Sequence, residues 1–379
     1  MDGNIELVVV SVNSARSSTL RNAALTSTII NQLPPRIKVL ILAPDRDAFT
    51  VASNPWPERI SFVTMPEKYR LTIWPQDPFL VLHDSGGSRL LAAPEFARAQ
   101  DSQMATALSA QLNLPIENTS LAFEGGNIVA DESYVFIGAN TIRLNAIEEN
   151  VPDLEIAATF KRELGRPVIV VGPVPQPVGH IDMMLTPLGE HKLMLADPAW
   201  GARLAAEELA ENPEAVAAFE KRCEQNFFGH ADIEQLQTID GETIRPPEIV
   251  GATGFAIDDS NAIAAAMDGV AEKLEQLGFD VARVPFLYRK PDLSAVIAAG
   301  ETIPGKPDYP QITYNNVLLE TINGEKTVYL PAYGWAALDT AAAEAWRAQG
   351  YTVVIIPGFT ITAMYGGALR CSVKVLSRN

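Results

Sequence analysis

Residues 311–334 read QITYNNVLLETINGEKTVYLPAYG. Two apolar runs rich in Val, Leu, Ile and Tyr flank Asn323-Gly324, the pair that a type I′ turn favours because both central residues need positive φ. The stretch therefore predicts a β-hairpin. Upstream, residues 260–278 (SNAIAAAMDGVAEKLEQLG) carry apolar residues at helical spacing (Ile263, Met267, Val270, Leu274) and stop at Gly278. Residues 279–287 (FDVARVPFL) then predict a strand. The order is helix, apolar strand, a loop of unusual residues, hairpin.

The same order recurs along the chain. Its first copy has helix 17–33, strand 37–44 and hairpin 71–93, turning at Ser85–Ser88. The second has helix 101–114 and a hairpin within 117–139 that turns at Asp131–Ser133. The third has helix 147–165, strand 167–175 and hairpin 179–198, turning at Leu188–Glu190. The stretch 260–334 is the fourth, and the fifth has helix 338–350, strand 351–358 and a final segment 364–379. Short Val- and Ile-rich strands suit sheets covered on both faces. Five weakly similar copies predict one α/β domain spanning 1–379 with internal pseudo-symmetry. Residues 202–247, acidic and of helical composition, fit no copy and are expected to be a helical insertion.

Composition narrows the function. Of 379 residues, 46 are acidic and 29 basic, a net charge of −17. Phosphate backbones would be repelled, so nucleic acid is not an expected partner, whereas a small cation suits the sign. No run approaches the length of a membrane span, and the acidic N-terminus does not resemble a signal peptide. Two cysteines, Cys223 and Cys371, are too few for a disulfide framework, which makes a reduced, cytoplasmic setting the default. Four histidines (His83, His180, His191 and His230) form no metal-binding spacing, and neither a metal nor an organic cofactor is expected. Self-association as a homo-oligomer is left open.

The chemically unusual residues fall where apolar strands meet loops: Trp74, Gln76 and Asp77; Glu124, Gly125, Gly126 and Asn127; His180 and Asp182; Tyr314 and Asn315; Gly366, Gly367 and Cys371. If the units circle one axis, these loop ends converge. A thiol beside an imidazole is a means of nucleophilic catalysis. The additional carboxylates would repel an anionic acyl intermediate, yet they suit a planar cation with several N–H donors, such as a guanidinium. His180 and Asp182, two apart, share a face in extended backbone. For Cys223 an inert buried thiol is expected, for Trp74 a core or stacking role, and for the other histidines surface or hairpin positions. In a regular strand Arg370 would face away from Cys371.

The set resembles the guanidino-group-modifying enzymes, which include arginine, agmatine and peptidylarginine deiminases, dimethylarginine hydrolase and the amidinotransferases. WPQD (74–77) is similar to their W-x-[RQ]-D loop, FEGGN (123–127) to E-G-G-[DN], GHID (179–182) to G-H-x-D, YNN (314–316) to Y-x-N, and GGALRC (366–371) to the terminal G-G-x-x-x-C loop. The motifs stand in family order across the whole chain. The resemblance implies a five-bladed α/β propeller, the pentein fold. It further implies Cys371 as nucleophile, His180 as general acid and base, Asp77 and Asp182 as the guanidinium grip, and Glu124 as the partner of His180. Trp74, Gln76, Asn127 and Arg370 are the further candidates for substrate contact. Two departures stand out: Arg370 occupies the place of the His that usually precedes the Cys in agmatine deiminases, and WPQDPF lacks their W-x-R-D-x-G-P. The implied reaction is hydrolysis of a guanidino compound to a ureido product, of the agmatine or citrulline-forming kind. Amidino transfer to an amine, or a non-catalytic pentein that binds a partner, are the alternatives.

Overall fold

The computed structural model describes residues 3–12, 16–44, 55–66, 71–84, 87–93, 101–226, 237–239, 242–244, 249–290 and 309–379. The turn expected at Ser85–Ser88 and His230 lie partly or wholly outside these residues. The fold is mixed α/β, with several small sheets flanked by helices.

Strand β1 (Ile5–Ser11) runs parallel to β2 (Lys38–Ala43), and β2 parallel to β3 (Ile60–Thr64). Helix α1 (Arg16–Gln32) makes the crossover, as a parallel connection requires. A second sheet pairs the hairpin β4 (Phe79–Asp84) and β5 (Gly87–Ala92) with β6 (Ile116–Asn118), reached through α2 (Gln103–Leu112). The third joins hairpin β7 (Ile128–Ala130) and β8 (Val135–Gly138) to β9 (Val168–Val171) through α3 (Ala139–Glu148) and α4 (Asp153–Leu164). In the fourth, hairpin β10 (Leu185–Gly189) and β11 (Lys192–Asp197) is followed by α5 (Pro198–Glu211), α6 (Pro213–Asn226), a short hairpin of β12 (Gln237–Ile239) and β13 (Glu242–Ile244), and α7 (Thr253–Gln276). The chain then lays β14 (Asp280–Leu287) parallel to β11 and adds β15 (Ile312–Thr313). The fifth sheet pairs hairpin β16 (Leu318–Ile322) and β17 (Glu325–Ala332) with β18 (Thr352–Pro357) through helix Ala336–Ala348. The last strand, β19 (Lys374–Arg378), returns to pair antiparallel with β1.

These five sheets share one plan, an antiparallel pair followed by a helical crossover to a parallel strand. That corrects the unit boundaries expected from sequence. Each apolar strand pairs with the hairpin before its helix, not the hairpin after it, because the crossover returns the chain to the sheet it left. The sheet of β1, β2 and β3 contains no hairpin of its own. Its antiparallel pair is made by the two ends of the chain, which covers an edge that β1 would otherwise leave open. The insertion is also not purely helical, since β12 and β13 follow α6.

Buried apolar side chains form several clusters. The largest packs β1, β2 and α1 against α6, β16, β17 and helix Ala336–Ala348, with Trp346 and Tyr314 fully buried. A second, around Met183, Leu195 and Phe286, includes Cys371. Among the described residues no helix is long and apolar enough to cross a membrane.

Candidate active site

The candidate residues all sit in the loop that enters the first strand of a sheet's antiparallel pair. Trp74, Gln76 and Asp77 precede β4, Glu124 to Asn127 precede β7, and His180 and Asp182 precede β10. Tyr314 to Asn316 precede β16, and Gly366 to Cys371 precede β19. Hydrogen bonds link these loops in turn. The Gly125 amide donates to the Asp77 carbonyl at 2.8 Å and the Gly126 amide to Asp77 Oδ1 at 3.0 Å. The Ile181 amide donates to Asn127 Oδ1 at 3.0 Å, and Thr313 Oγ1 donates to the Met183 carbonyl at 2.5 Å. The Arg370 and Cys371 amides donate to the Asn316 main-chain and side-chain oxygens at 3.3 and 3.0 Å. Lys374 Nζ closes the circuit by donating to the carbonyls of Gln76 (3.1 Å) and Phe79 (2.5 Å).

Two glycines make the approach possible. A Cβ on Gly126 would collide with the His180 imidazole and the Asp77 carboxylate, and one on Gly367 would collide with the Trp74 ring. Small residues are needed here because backbone passes close against these side chains.

His180 is bracketed by carboxylates. Its Nε2 lies 2.5 Å from Glu124 Oε2 and its Nδ1 lies 3.7 Å from Asp77 Oδ1. Both ring nitrogens thus face acceptors, the arrangement an imidazolium with two donors satisfies. Burial pulls its pKa down, but the Asp77 charge, contact with Cys371 and the bond to Glu124 outweigh it, holding His180 well above the ordinary histidine value.

Cys371 is buried in the helical turn Leu369–Ser372. Its Sγ lies 3.7 and 4.0 Å from the Asp182 oxygens and accepts from Asn316 Nδ2 at 3.1 Å. Burial and then the Asp182 charge push the thiol up to about 11, against the opposing pull of His180. Asp182 is itself fully buried. Burial raises its carboxyl above the usual range, and Arg370 and His180 act against that rise.

Arg370 corrects a sequence expectation. The segment is a helical turn, not a regular strand, so Arg370 and Cys371 do not alternate across two faces. Arg370 Nη1 donates to Asp182 Oδ2 at 2.7 Å, and Nη2 to the Ile128 carbonyl at 3.1 Å. Gln76 and Asn127 are engaged by protein. Gln76 Nε2 donates to the Gly125 carbonyl at 3.2 Å. Asn127 Nδ2 donates to Thr141 Oγ1 at 2.7 Å, and its Oδ1 accepts from Gln176 and Ile181. Trp74 packs against the second apolar cluster, of which Cys371 is a member. Tyr314 lies in the core and donates to Asp339 Oδ1 at 2.7 Å.

Sequence reasoning singled out Asn315 and passed over Asn316, the residue that holds the thiol. The signal was present, because a Y-x-N pattern ends on Asn316. Cys223 sits buried in α6 with its thiol pushed up by burial. His83 is exposed on β4, and His191 lies in the β10–β11 turn with φ +60°. Among the described residues no group of three His, Cys, Asp or Glu is arranged to hold a metal ion.

No protein-family model and no curated protein sequence matches the chain. Solved structures do. The Campylobacter jejuni agmatine deiminase superposes with a TM-score of 0.59 at 14% identity, covering 98% of this chain and 93% of that one. The Enterococcus faecalis agmatine deiminase gives 0.60 at 13% identity, with coverage of 98% and 93%. SxtG, an amidinotransferase of saxitoxin biosynthesis from Microseira wollei, gives 0.50 at 12% identity, with coverage of 100% and 95%. The chain therefore shares its fold with these solved structures along nearly its whole length.

Proposed function

We propose that the chain is a hydrolase of a small guanidino compound, releasing ammonia and a ureido product through a covalent intermediate on Cys371. The observation that carries this reading is a buried thiol 3.7 Å from Asp182, in contact with an imidazole clasped by Glu124 and Asp77. The likeness to agmatine deiminases and to an amidinotransferase at the level of fold supports it. The five sheets with one plan and the circuit of hydrogen bonds between their entry loops support a single domain in which the sheets stand as blades around one axis.

In this mechanism Asp77 and Asp182 grip the guanidinium through charge-assisted hydrogen bonds. Burial and the Asp182 charge by themselves keep the thiol protonated. A cation seated on the two aspartates offsets the charge that raises the thiol, and Cys371 loses its proton as substrate binds. The thiolate sulfur bonds to the guanidinium carbon. His180, held protonated by its carboxylates, delivers a proton to the departing nitrogen, and ammonia leaves an S-alkylthiouronium. His180 then takes a proton from water as its oxygen bonds to the same carbon. The C–S bond breaks, and the ureido product departs with the thiol restored. A chain of net charge −17 suits a small cationic substrate and not a nucleic acid.

The test is ammonia release from agmatine, arginine and methylated arginines, by the parent and by Cys371→Ala. The variant is expected to lose turnover while still binding a guanidinium in calorimetry. Ammonia release by the variant at the parent rate would mean that another group is the nucleophile.

A further inference from the structure

The loop that carries His180, residues 172–180, leads from β9 towards β10. Gln176 lies within it, 8% exposed, and both ends of its side-chain amide are bonded. Oε1 accepts from the Asn140 amide at 2.7 Å and from Asn127 Nδ2 at 3.4 Å. Nε2 donates to Asn127 Oδ1 at 3.1 Å and is shared with the carbonyls of Val178 and Gly179 at 3.4 and 3.5 Å. The Gln176 main-chain amide donates to Asn140 Oδ1 at 3.1 Å. One residue therefore ties the His180 loop both to the first turn of α3 and to the loop that carries Glu124 and Asn127.

The bond to Asn127 is reciprocal. Two amides that each donate to and accept from the other fix each other's orientation. Asn127 is 3% exposed and spends its hydrogen-bonding capacity within the protein. Its Nδ2 donates to Thr141 Oγ1 and Gln176 Oε1, and its Oδ1 accepts from Gln176 Nε2 and the Ile181 amide. Gly138 leaves room for this arrangement, because a Cβ there would collide with the Asn127 amide. The peptide groups on both sides of His180 are thus held, the Gly179 carbonyl by Gln176 and the Ile181 amide by Asn127. An imidazole turns only about χ1 and χ2. Backbone fixed on both sides therefore decides how closely the ring approaches Glu124 and Asp77.

We propose that Gln176 is a positioning residue: through Asn127 and the peptide groups flanking His180, it sets the imidazole against Glu124 and Asp77. Its effect on turnover rests on the proposed reaction, in which His180 moves the protons, whereas the placement of the ring does not.

The experiment compares the full chain with its Gln176→Met variant, which keeps the length of the side chain and removes the amide. The first readout is the titration of His180 by NMR, assigned among the four histidines of the chain with His180→Gln. The Asp77 charge, the Cys371 contact and the bond to Glu124 hold His180 well above the ordinary value against the pull of burial. Displacing the ring returns it towards that value, so the midpoint should fall in Gln176→Met. The second readout is ammonia release. Its kcat/KM should fall about a hundredfold, the scale for a displaced reacting group, with most of the loss in kcat. A purely structural glutamine would lower the melting temperature and leave both readouts of the folded variant at parent values, and that result overturns the proposal. If Gln176→Met unfolds, Gln176→Asn, one methylene too short to reach Asn127, decides by the same titration. If the parent releases ammonia from no guanidine, a lowered midpoint still supports the placement of His180 by Gln176, and it is the proposed reaction that fails.

Discussion

Replacing Arg370 with methionine is predicted to destabilise the protein strongly at pH 7 and only mildly at pH 5. Asp182 is 1% exposed, and Arg370 bonds it at 2.7 Å from a side chain that is 13% exposed. Without the guanidinium the buried carboxylate must either stay charged and uncompensated, at a cost of about 3–5 kcal/mol, or take up a proton. Protonation caps the loss. An ordinary aspartate has a pKa near ~3.9 and each pH unit above it costs about 1.4 kcal/mol, so the cap is about 4 kcal/mol at pH 7 and about 1.5 kcal/mol at pH 5. The sign follows from proton binding. In Arg370→Met the folded carboxyl titrates above its unfolded value, the folded state binds more protons, and stability falls as pH rises above about 4. Urea unfolding at both pH values should show a loss of about 3–4 kcal/mol at pH 7 and about 1–1.5 kcal/mol at pH 5. The Ile128 carbonyl loses its donor too, a cost that does not depend on pH. The Arg370→Met Asp182→Asn double variant should recover much of the pH 7 loss, because no buried charge remains. Equal losses at both pH values, or a double variant no better than the single, would refute the argument that Arg370 holds a buried charge in place.

Gly126→Ala should fold with a loss of about 1–3 kcal/mol. Its kcat/KM should fall roughly a hundredfold, because the new methyl displaces His180 and Asp77; unimpaired turnover would show that the backbone approach is unimportant. Asn316→Ala removes the acceptor of the Cys371 amide and the donor to its sulfur. Turnover should fall about ten- to a hundredfold, and a variant with parent kinetics would remove Asn316 from the site. Burial, with Arg370 next, lowers the Lys374 ammonium to about 7. Between pH 7 and the usual lysine value near ~10.4, the unfolded chain binds a proton that the folded chain lacks. Lys374 therefore makes stability rise with pH across that window. Lys374→Met should lack this slope when the two proteins are unfolded in urea at several pH values, and a constant difference between them would show that Lys374 is not buried as described.

The sequence determined a good deal. Helical spacing such as Ile263, Met267, Val270 and Leu274, turn pairs such as Asn323-Gly324, and Val- and Ile-rich runs are local signals, and the α/β character and repeating order follow from them. The chemical types in the entry loops were also legible, because Trp74, Asp77, Glu124, His180, Asp182 and Cys371 stand out against the apolar strands that follow. Tertiary structure decided how strands are shared between units. Pairing depends on where a helical crossover returns the chain, and neither β6 with β5 nor β19 with β1 leaves a local mark. It also decided which neighbour of the thiol matters. Asn315 and Asn316 are indistinguishable by type, but only the backbone path into β16 turns Asn316 onto Cys371. Arg370 reaches Asp182 because residues 369–372 coil into a helical turn. The alternation rule for strands predicted the opposite face, and it fails wherever a loop folds against partners from distant sheets.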